Sequence, residues 1–512
     1  MRSGTAVFGM ALLVSVCSIS QSVRAQGMVR IYVLPGSAAI RIEGETIPGR
    51  AWSFRKSYGS VIDLGRRITK FTLSDEKEKG IAVREVAPGE YESAQPASRF
   101  RYEVRLAPPI EPGDAAMVSW MDSGNALLLM GDLLPEWQPQ ADSSQSAADK
   151  SQPGVPARAK STSIQFHLPD GWDVYTSEQR DGNGEFTVND PSRAVFIAGP
   201  RLRTRVGRID TMNFSLITNS DWAFDDNEAF ELAAKILREH KRIFSSMPSD
   251  RAALILLPFP MPVSADKWTA ETRGSTVTLL LGRQPSKVGA LAQLSVPLTH
   301  ELFHFWVPNA LTLKGDYDWF YEGFTTYEAS KAAVRLHLLT FPEFLNGIAR
   351  AYDKYRVSEN VDRLSLIDAS AQRWTGGQAV VYQKAMVVAL IYDLNLRFQS
   401  RGKKSLDDVY RNLLSHYAFV RQNSEDSHSE VTPRGSYDGN IVTLAALNTP
   451  VGIQTVVQDF VQRPAVINLE SALAAFGLKV ETFGSRSRIS VMPKLTRQQG
   501  DLLKELGYNE GH

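Results

Sequence analysis

Apolar and polar residues alternate in short segments over the first part of the chain. The alternation is clearest in residues 30–34 (RIYVL), 39–42 (AIRI) and 100–106 (FRYEVRL), and Pro and Gly residues separate these segments. A period of two is typical of strands that bury one face. The pattern predicts an antiparallel β domain over residues 26–205. Residues 138–163 are small and polar and contain Pro, which indicates a disordered insertion within this domain.

Beyond the β domain, apolar runs of strand length alternate with helical segments. The pair Asp225–Asp226 precedes a helical pattern that extends to about Phe244, and acidic side chains favour the start of a helix. The apolar runs Ala252–Leu257 and Thr276–Leu281 predict buried strands. We therefore predict an α+β fold in which residues 206–400 combine a mixed sheet with a helical lobe.

The C-terminal part of the chain has a mainly helical pattern. Residues 401–481 continue the helical lobe, and the remaining residues 482–512 form a short tail. In this tail the sequence predicts one strand, Ile489–Met492, and one helix that Thr496 caps together with Gln499.

The N-terminus has the pattern of a secretory signal peptide, residues 1–25. Arg2 precedes the apolar run Ala6–Val16, and cleavage would follow Ala25. The run is too short for a stable membrane span, although a membrane anchor is the alternative. The single cysteine, Cys17, follows Val16 instead of a small residue, which argues against lipidation. The exported chain would therefore contain no thiol, which suits a bacterial periplasm.

The charge balance favours neither nucleic acid nor a charged membrane surface as a partner. The chain has 57 basic and 56 acidic residues, a net charge of +1. A local basic run comprises Arg201, Arg203, Arg205 and Arg208. No aromatic stacking platform accompanies it, so we interpret this run as a solvated strand face.

Two histidines four residues apart, His300 and His304, should lie on the same face of a helix that Pro308 ends. Their imidazoles can bind one metal ion, and Glu301 can reach a water molecule on that metal. Glu322 follows eighteen residues after His304. Its aromatic neighbours make a carboxylate costly to bury without a partner, so it is the predicted third ligand. A buried histidine pair without a metal and a surface glutamate are the alternatives.

The motifs around these residues resemble those of the gluzincin metallopeptidases. Residues 300–313 (HELFHFWVPNALTL) match the aminopeptidase N pattern HELxHxWxxNxxT, including Trp306, Asn309 and Thr312. Residues 319–327 (WFYEGFTTY) resemble both that family and the glycyl aminopeptidase family. The gap to the third ligand is one residue shorter than in aminopeptidase N, and Tyr321 replaces an Asn of that family.

The resemblance implies a thermolysin-like catalytic domain with one Zn²⁺ per chain and further site residues. Glu301 would take a proton from water and pass it to the leaving amine. Tyr382, near the position of a catalytic tyrosine in aminopeptidase N, is the candidate for oxyanion stabilisation, with packing as the alternative. Glu271, twenty-nine residues before His300, would bind the α-amine of the substrate. Thr272 stands where the related families have His or Asn.

The sequence thus predicts an exported zinc aminopeptidase that acts on peptides. It resembles the glycyl aminopeptidase family most closely, although the tail is too short for the PDZ domain common there. A zinc endopeptidase with the same site is one alternative, favoured if Glu271 faces away from the cleft. A non-enzymatic binding protein on a decayed peptidase scaffold is the other. The sequence leaves the oligomeric state open.

Overall fold

The computed structural model describes residues 27–139, 161–419, 435–449 and 452–509. The predicted signal peptide with Cys17, and residues 140–160 of the predicted insertion, lie outside these ranges. The outer residues of that insertion, 138–139 and 162–163, belong to strands. No helix in the described ranges is long and apolar enough to cross a membrane.

The N-terminal part contains two sheets and one short helix. In chain order its strands are β1 (Gly27–Leu34), β2 (Ala39–Ser53), β3 (Ile68–Ser74), β4 (Gly80–Ile81), β5 (Val83–Ala87), β6 (Glu90–Arg105), β7 (Trp120–Met121), β8 (Ala126–Leu129), β9 (Glu136–Pro139), β10 (Thr162–His167), β11 (Trp172–Tyr175), β12 (Gln179–Arg180), β13 (Phe186–Val188) and β14 (Val195–Pro200). The helix α1 (Met130–Leu133) follows β8.

These strands form a ten-stranded sheet and a four-stranded sheet. The order of the first is β12-β13-β10-β1-β2-β6-β3-β4, with β5 beside β6 and β9 beside β2. The order of the second is β11-β14-β8-β7. Every pairing in the described part of the two sheets is antiparallel except that of β1 with β10, which is parallel. The predicted β domain is therefore present with one parallel pair.

The inner strands of the four-stranded sheet, β8 and β14, are buried on both faces. Along β8, Ala126 and Leu128 face the core of the ten-stranded sheet. The alternate residues Leu127 and Leu129 pack in a second core with Ile255 and other residues of the following domain. This double burial explains why β8 is apolar at every position, since a strand with one solvated face would alternate.

The second domain begins with a five-stranded mixed sheet of order β15-β16-β17-β19-β18. Its strands are β15 (Arg203–Ile209), β16 (Met212–Thr218), β17 (Arg251–Pro258), β18 (Trp268–Arg273) and β19 (Thr276–Leu281). The pairs β16–β17 and β17–β19 are parallel, and β18 is an edge strand antiparallel to β19. The helix α2 (Asp226–Phe244) lies between β16 and β17 in the chain, and a capping box of Asp225 and Glu228 begins it, near the predicted position.

The basic run lies at the opposite edge of this sheet, largely on β15. Arg203 forms an ion pair with Asp226, and Arg205 donates a hydrogen bond to Asn227. Two of the three arginines of β15 therefore bind the start of α2, and the third, Arg208, donates a hydrogen bond to the carbonyl oxygen of Asp210.

The helical lobe follows, and the predicted α+β class is confirmed. Its helices are α3 (Lys287–Glu301), α4 (Thr325–Arg335), α5 (Phe341–Arg356), α6 (Leu366–Ala371), α7 (Ala385–Ser400), α8 (Leu406–Tyr417), α9 (Gly439–Asn448), α10 (Gln454–Val457), α11 (Leu469–Ala474) and α12 (Arg497–Glu505). Short strands β20 (Leu313–Lys314) and β21 (Tyr437–Asp438) pair in parallel. π-helical turns occur at Trp319–Phe324, Val380–Lys384 and Gln458–Gln462.

The tail differs from its prediction in one respect. Strands β22 (Leu478–Phe483) and β23 (Arg486–Val491) form a hairpin that crosses the boundary placed after residue 481. The sequence indicated only the second strand, because Leu478–Phe483 closely follows a helical segment. The final helix begins as predicted, with a capping box of Thr496 and Gln499.

Candidate metal centre and active site

The two histidines of the HELFH motif face each other across the end of α3. Their Nε2 atoms lie 3.0 Å apart. The prediction that the helix continues to Pro308 is wrong, because α3 ends at Glu301 and a 3-10 turn, Phe303–Phe305, follows. Pro308 has no N–H for the carbonyl of His304 and restricts the residue before it, which accounts for the early end. The tighter turn still brings His304 beside His300.

Glu322 completes a group of three possible metal ligands. It lies in the π-helical turn Trp319–Phe324, which leads into α4. Its Oε2 atom is 3.2 Å from His300 Nε2 and 3.5 Å from His304 Nε2. One ligand atom from each residue thus lies within 4.8 Å of the other two, a separation that a single metal ion can bridge.

The surroundings of these residues fit a metal ion. His304 Nδ1 lies 2.9 Å from the carbonyl oxygen of Val307, and this contact places a proton on Nδ1 and leaves the Nε2 lone pair directed at the centre. His300 Nδ1 lies 3.4 Å from Thr326 Oγ1. Two imidazole nitrogens and a carboxylate oxygen are the ligand set of many catalytic zinc sites. The three residues could therefore hold zinc.

Arg373 links the metal centre to Tyr382. Its guanidinium lies 3.0 Å from Glu322 Oε1 and 2.7 Å from Asp318 Oδ1, and it donates a hydrogen bond to the Tyr382 hydroxyl. Burial would raise the pKa of Glu322, but Arg373 and the two histidine contacts hold that pKa well below its ordinary value. No motif in the sequence marks Arg373, which lies 51 residues after Glu322 in the chain.

Glu301 is buried and has a hydroxyl partner. Thr272, on the edge strand β18, donates a hydrogen bond of 2.6 Å to Glu301 Oε2 and also contacts the backbone oxygen of Glu301 at 3.1 Å. Sequence reasoning treated Thr272 only as a departure from the related families. In the structure this departure supplies the hydrogen bond that orients the Glu301 carboxylate.

Glu271 faces the same cavity and is bound by two neighbours. Tyr58, from the N-terminal domain, donates a hydrogen bond to Glu271 Oε1, and Arg273 Nε lies 3.7 Å from the same atom. Burial raises the pKa of Glu271, and Arg273 and Tyr58 oppose the rise. Sequence reasoning missed Tyr58, because its contact joins positions 213 residues apart.

Tyr382 lies in the π-helical turn Val380–Lys384, half-buried, with its hydroxyl at Arg373. Burial and the nearby Glu322 carboxylate raise the pKa of Tyr382 well above its ordinary value. The phenol therefore stays protonated near neutral pH, where it can donate a hydrogen bond.

One cavity of about 740 Å³ unites these groups. All six predicted site residues line it: Glu271, His300, Glu301, His304, Glu322 and Tyr382. Residues from 271 to 382 of the sequence thus meet at one place. The endopeptidase alternative would be favoured by a Glu271 that faces away from the cleft, whereas its side chain lines the cavity.

Comparisons with known proteins identify the fold. No protein-family model matches the sequence, and no curated protein matches it significantly. An aminopeptidase N family protein from Idiomarina loihiensis aligns with a TM-score of 0.71 and 16% identity over 89% of this chain and 79% of that one. The M1 zinc metallopeptidase of Deinococcus radiodurans, as a mutant bound to a Tyr-Ser-Ala substrate, gives a TM-score of 0.54 and 13% identity over 87% of this chain and 95% of that one. The chain therefore shares the fold of these two proteins, while its predicted membership of the gluzincin metallopeptidases and closeness to the glycyl aminopeptidase family stay predictions.

Proposed function

We propose that the protein is a zinc-dependent peptidase that removes N-terminal residues from peptides. The observation that carries the proposal is the cluster of His300, His304 and Glu322 with Glu301 beside it in one cavity. The fold, which is shared with zinc metallopeptidases, supports it. The predicted signal peptide adds the proposal that the enzyme acts outside the cytoplasm, in the periplasm.

In this proposal the three ligands hold one zinc ion, which would polarise the scissile carbonyl and acidify water. Glu301 takes the proton of the attacking water and delivers it to the leaving amine. The hydrogen bond from Thr272 occupies Glu301 Oε2, so Oε1 is the oxygen left for the proton. The hydrogen bond from Thr272 thus leaves Oε1 as the oxygen of Glu301 that accepts the proton from water.

Tyr382 stabilises the oxyanion of the tetrahedral intermediate by donating its hydroxyl hydrogen. Arg373, which contacts both Tyr382 and Glu322, adds positive charge beside that position. The edge strand β18 offers its free backbone groups to an extended peptide, which can pair with it as an added strand. Glu271, on the same strand, then lies where it can bind the free α-amine of the peptide.

A second candidate function is an endopeptidase with the same zinc chemistry. Glu271 Oε1 is already bound by Tyr58 and lies near Arg273, so only Oε2 is left for an α-amine. If Glu271 binds the α-amine only weakly, the enzyme would also cleave peptide bonds away from the N-terminus. The two candidates differ in whether a blocked N-terminus is tolerated.

The decisive test measures bound zinc and the cleavage of two peptides by the purified mature chain. One peptide has a free N-terminus, the other is its N-acetylated form, and the Glu301→Gln variant is the blank. We expect about one zinc per chain and cleavage of the free peptide only. Cleavage of both peptides would move the assignment to endopeptidase. Absence of zinc and of Glu301-dependent cleavage would refute the enzyme and favour a binding protein.

A further inference from the structure

Cationic side chains outnumber carboxylates around the cavity. Six line it: Arg55, Arg193, Arg273, Arg350, Lys354 and Arg373. Three carboxylates oppose them, those of Glu271, Glu301 and Glu322. Glu322 is balanced by Arg373 and would be balanced further by a metal, and Glu271 is balanced by Arg273. With six cations and three carboxylates, the described wall of the cavity has an excess of positive charge.

Two of these cations, Arg55 and Arg193, lie near Tyr58 and Arg273. The Arg55 guanidinium lies 5.1 Å from the centre of the Tyr58 ring, and that of Arg273 lies 4.1 Å from the same centre. Tyr58 is the residue that donates to Glu271. The arginines thus adjoin the position where, in the proposed function, the N-terminal residue of the substrate is held.

Within the described residues, no carboxylate forms an ion pair with Arg55 or Arg193. Arg55 packs over the Tyr58 ring, and its Nη1 atom is buried without a hydrogen-bond acceptor. Asp132 is the carboxylate that most strongly raises the pKa of Arg55, but it already forms an ion pair with Arg67 at 2.9 Å. Burial lowers the pKa of both Arg55 and Arg193, and repulsion from Arg273 lowers it further, although Asp190 opposes this at Arg193. Both side chains are half-buried. A guanidinium with a buried N–H that has no acceptor is costly, and a bound anion would lower that cost.

We propose that Arg55 and Arg193 form a subsite for a substrate carboxylate, the side chain of an acidic residue immediately N-terminal to the scissile bond. The inference rests on the proposed function for the position of the scissile bond. A peptide with N-terminal glutamate would bring an ammonium group for Glu271 and a carboxylate for the two arginines. The substrate carboxylate would then offset part of the positive charge of the two guanidinium groups.

The test compares peptides that differ only in the charge of the first residue. The set is Glu-Ala-Ala, its uncharged isostere Gln-Ala-Ala and Lys-Ala-Ala, each with a free and with an amidated C-terminus. We expect kcat/KM to be about tenfold or more higher for Glu than for Gln, and to be lowest for Lys. The preference should persist after C-terminal amidation. Recognition of the chain end would instead give a ratio near one for Glu over Gln and a loss of kcat/KM on amidation that is the same for both peptides, and the assignment to the first residue would then be wrong.

The variants Arg55→Gln, Arg193→Gln and the double variant should bring the ratio of kcat/KM for Glu over Gln toward one. Lys354→Gln is the matched control, because Lys354 lines the same cavity from α5 and should leave this ratio unchanged. Equal or better cleavage of the Gln peptide by the wild-type chain would overturn the subsite.

Failure of the proposed function can be told apart from failure of the subsite. Calorimetric binding of the same peptides to the Glu301→Gln variant needs no turnover. Tighter binding of the Glu peptide, lost in the background of Arg55→Gln with Arg193→Gln, would support the subsite even if no peptide is cleaved. Equal binding of the Glu and Gln peptides would refute the subsite whether or not the wild-type chain is an enzyme.

Discussion

Arg373 is the single residue that connects the most parts of the site. It contacts Glu322, Asp318 and Tyr382, and its side chain is 13% exposed. A partner of this kind fixes the orientation of a metal-binding carboxylate. In the proposed mechanism Arg373 is therefore a positioning residue for the metal ligand, and it also adds positive charge beside Tyr382.

Substitution of Arg373 by Gln should weaken zinc binding by about ten- to a hundredfold and lower kcat, because Glu322 loses the contact that orients it. Zinc affinity is measured by competition with a chromophoric chelator, and kcat by peptide hydrolysis at saturating zinc. Arg363→Gln is the matched control, since Arg363 is exposed and shares no side-chain contact with the site. Unchanged zinc affinity in Arg373→Gln would show that Glu322 is oriented without it.

Two π-helical turns pack against each other under the site. Trp319–Phe324 holds Glu322, and Val380–Lys384 holds Tyr382. The close approach depends on Gly323, where a Cβ atom would overlap Ala385 Cβ and the carbonyl oxygen of Val381. A π-helical turn inside a helix is rare and often marks a functional site. Here it brings the candidate metal ligand Glu322 and the candidate oxyanion donor Tyr382 together.

Substitution of Gly323 by Ala should destabilise the protein by about 1–3 kcal/mol, because backbone and side-chain atoms must move to admit the methyl group. It should also weaken zinc binding, since Glu322 precedes Gly323. Gly347→Ala in α5 is the control, because a Cβ there meets only Arg350 Nη2, at 3.9 Å. That change should stabilise by about 0.5–1 kcal/mol through helix propensity. Urea denaturation measures both, and equal stabilities would refute the packing argument.

Among the helices and strands, the sequence correctly predicted those that are determined by residues close together in the chain. The capping box of α2, the buried strands β17 and β19 and the capped helix α12 lie at or near their predicted positions. All six candidate site residues meet in one cavity, because the motifs that mark them follow each other on a few adjacent elements. The end of α3 was predicted too late, because a proline affects the residues that precede it.

The contacts that the sequence did not predict are those made over long separations. Tyr58 reaches Glu271 from a different domain, and Arg373 reaches Glu322 from a separate turn. Nothing in the local pattern around Tyr58 or Arg373 distinguishes them from other surface residues. Such pairs depend on how the sheets and helices pack, and the pattern of residues in a single sequence does not predict that packing.

The whole molecule is held together through the four-stranded sheet. Its two faces join the core of the ten-stranded sheet to that of the mixed sheet. Side chains of β18 add further links, since Thr269 donates to the carbonyl oxygen of Gly113 and Arg273 to that of Met117. The cavity wall is thus fixed by both domains. We infer that stabilisation of the metal centre is transmitted to the entire described chain.

Zinc should therefore stabilise both domains in one cooperative transition. Because the native state binds the metal and the unfolded chain does not hold the three ligands together, free zinc at about 1,000 times its Kd should add about 4 kcal/mol to the free energy of unfolding. Calorimetric scans with zinc and with a chelator measure the shift. The Glu322→Ala variant lacks one ligand and should show little of it. If zinc raised the unfolding temperature of only one of two resolved transitions, the domains would unfold separately. If zinc raised the unfolding temperature of Glu322→Ala by the same amount as that of the wild-type chain, the stabilising metal would be bound elsewhere.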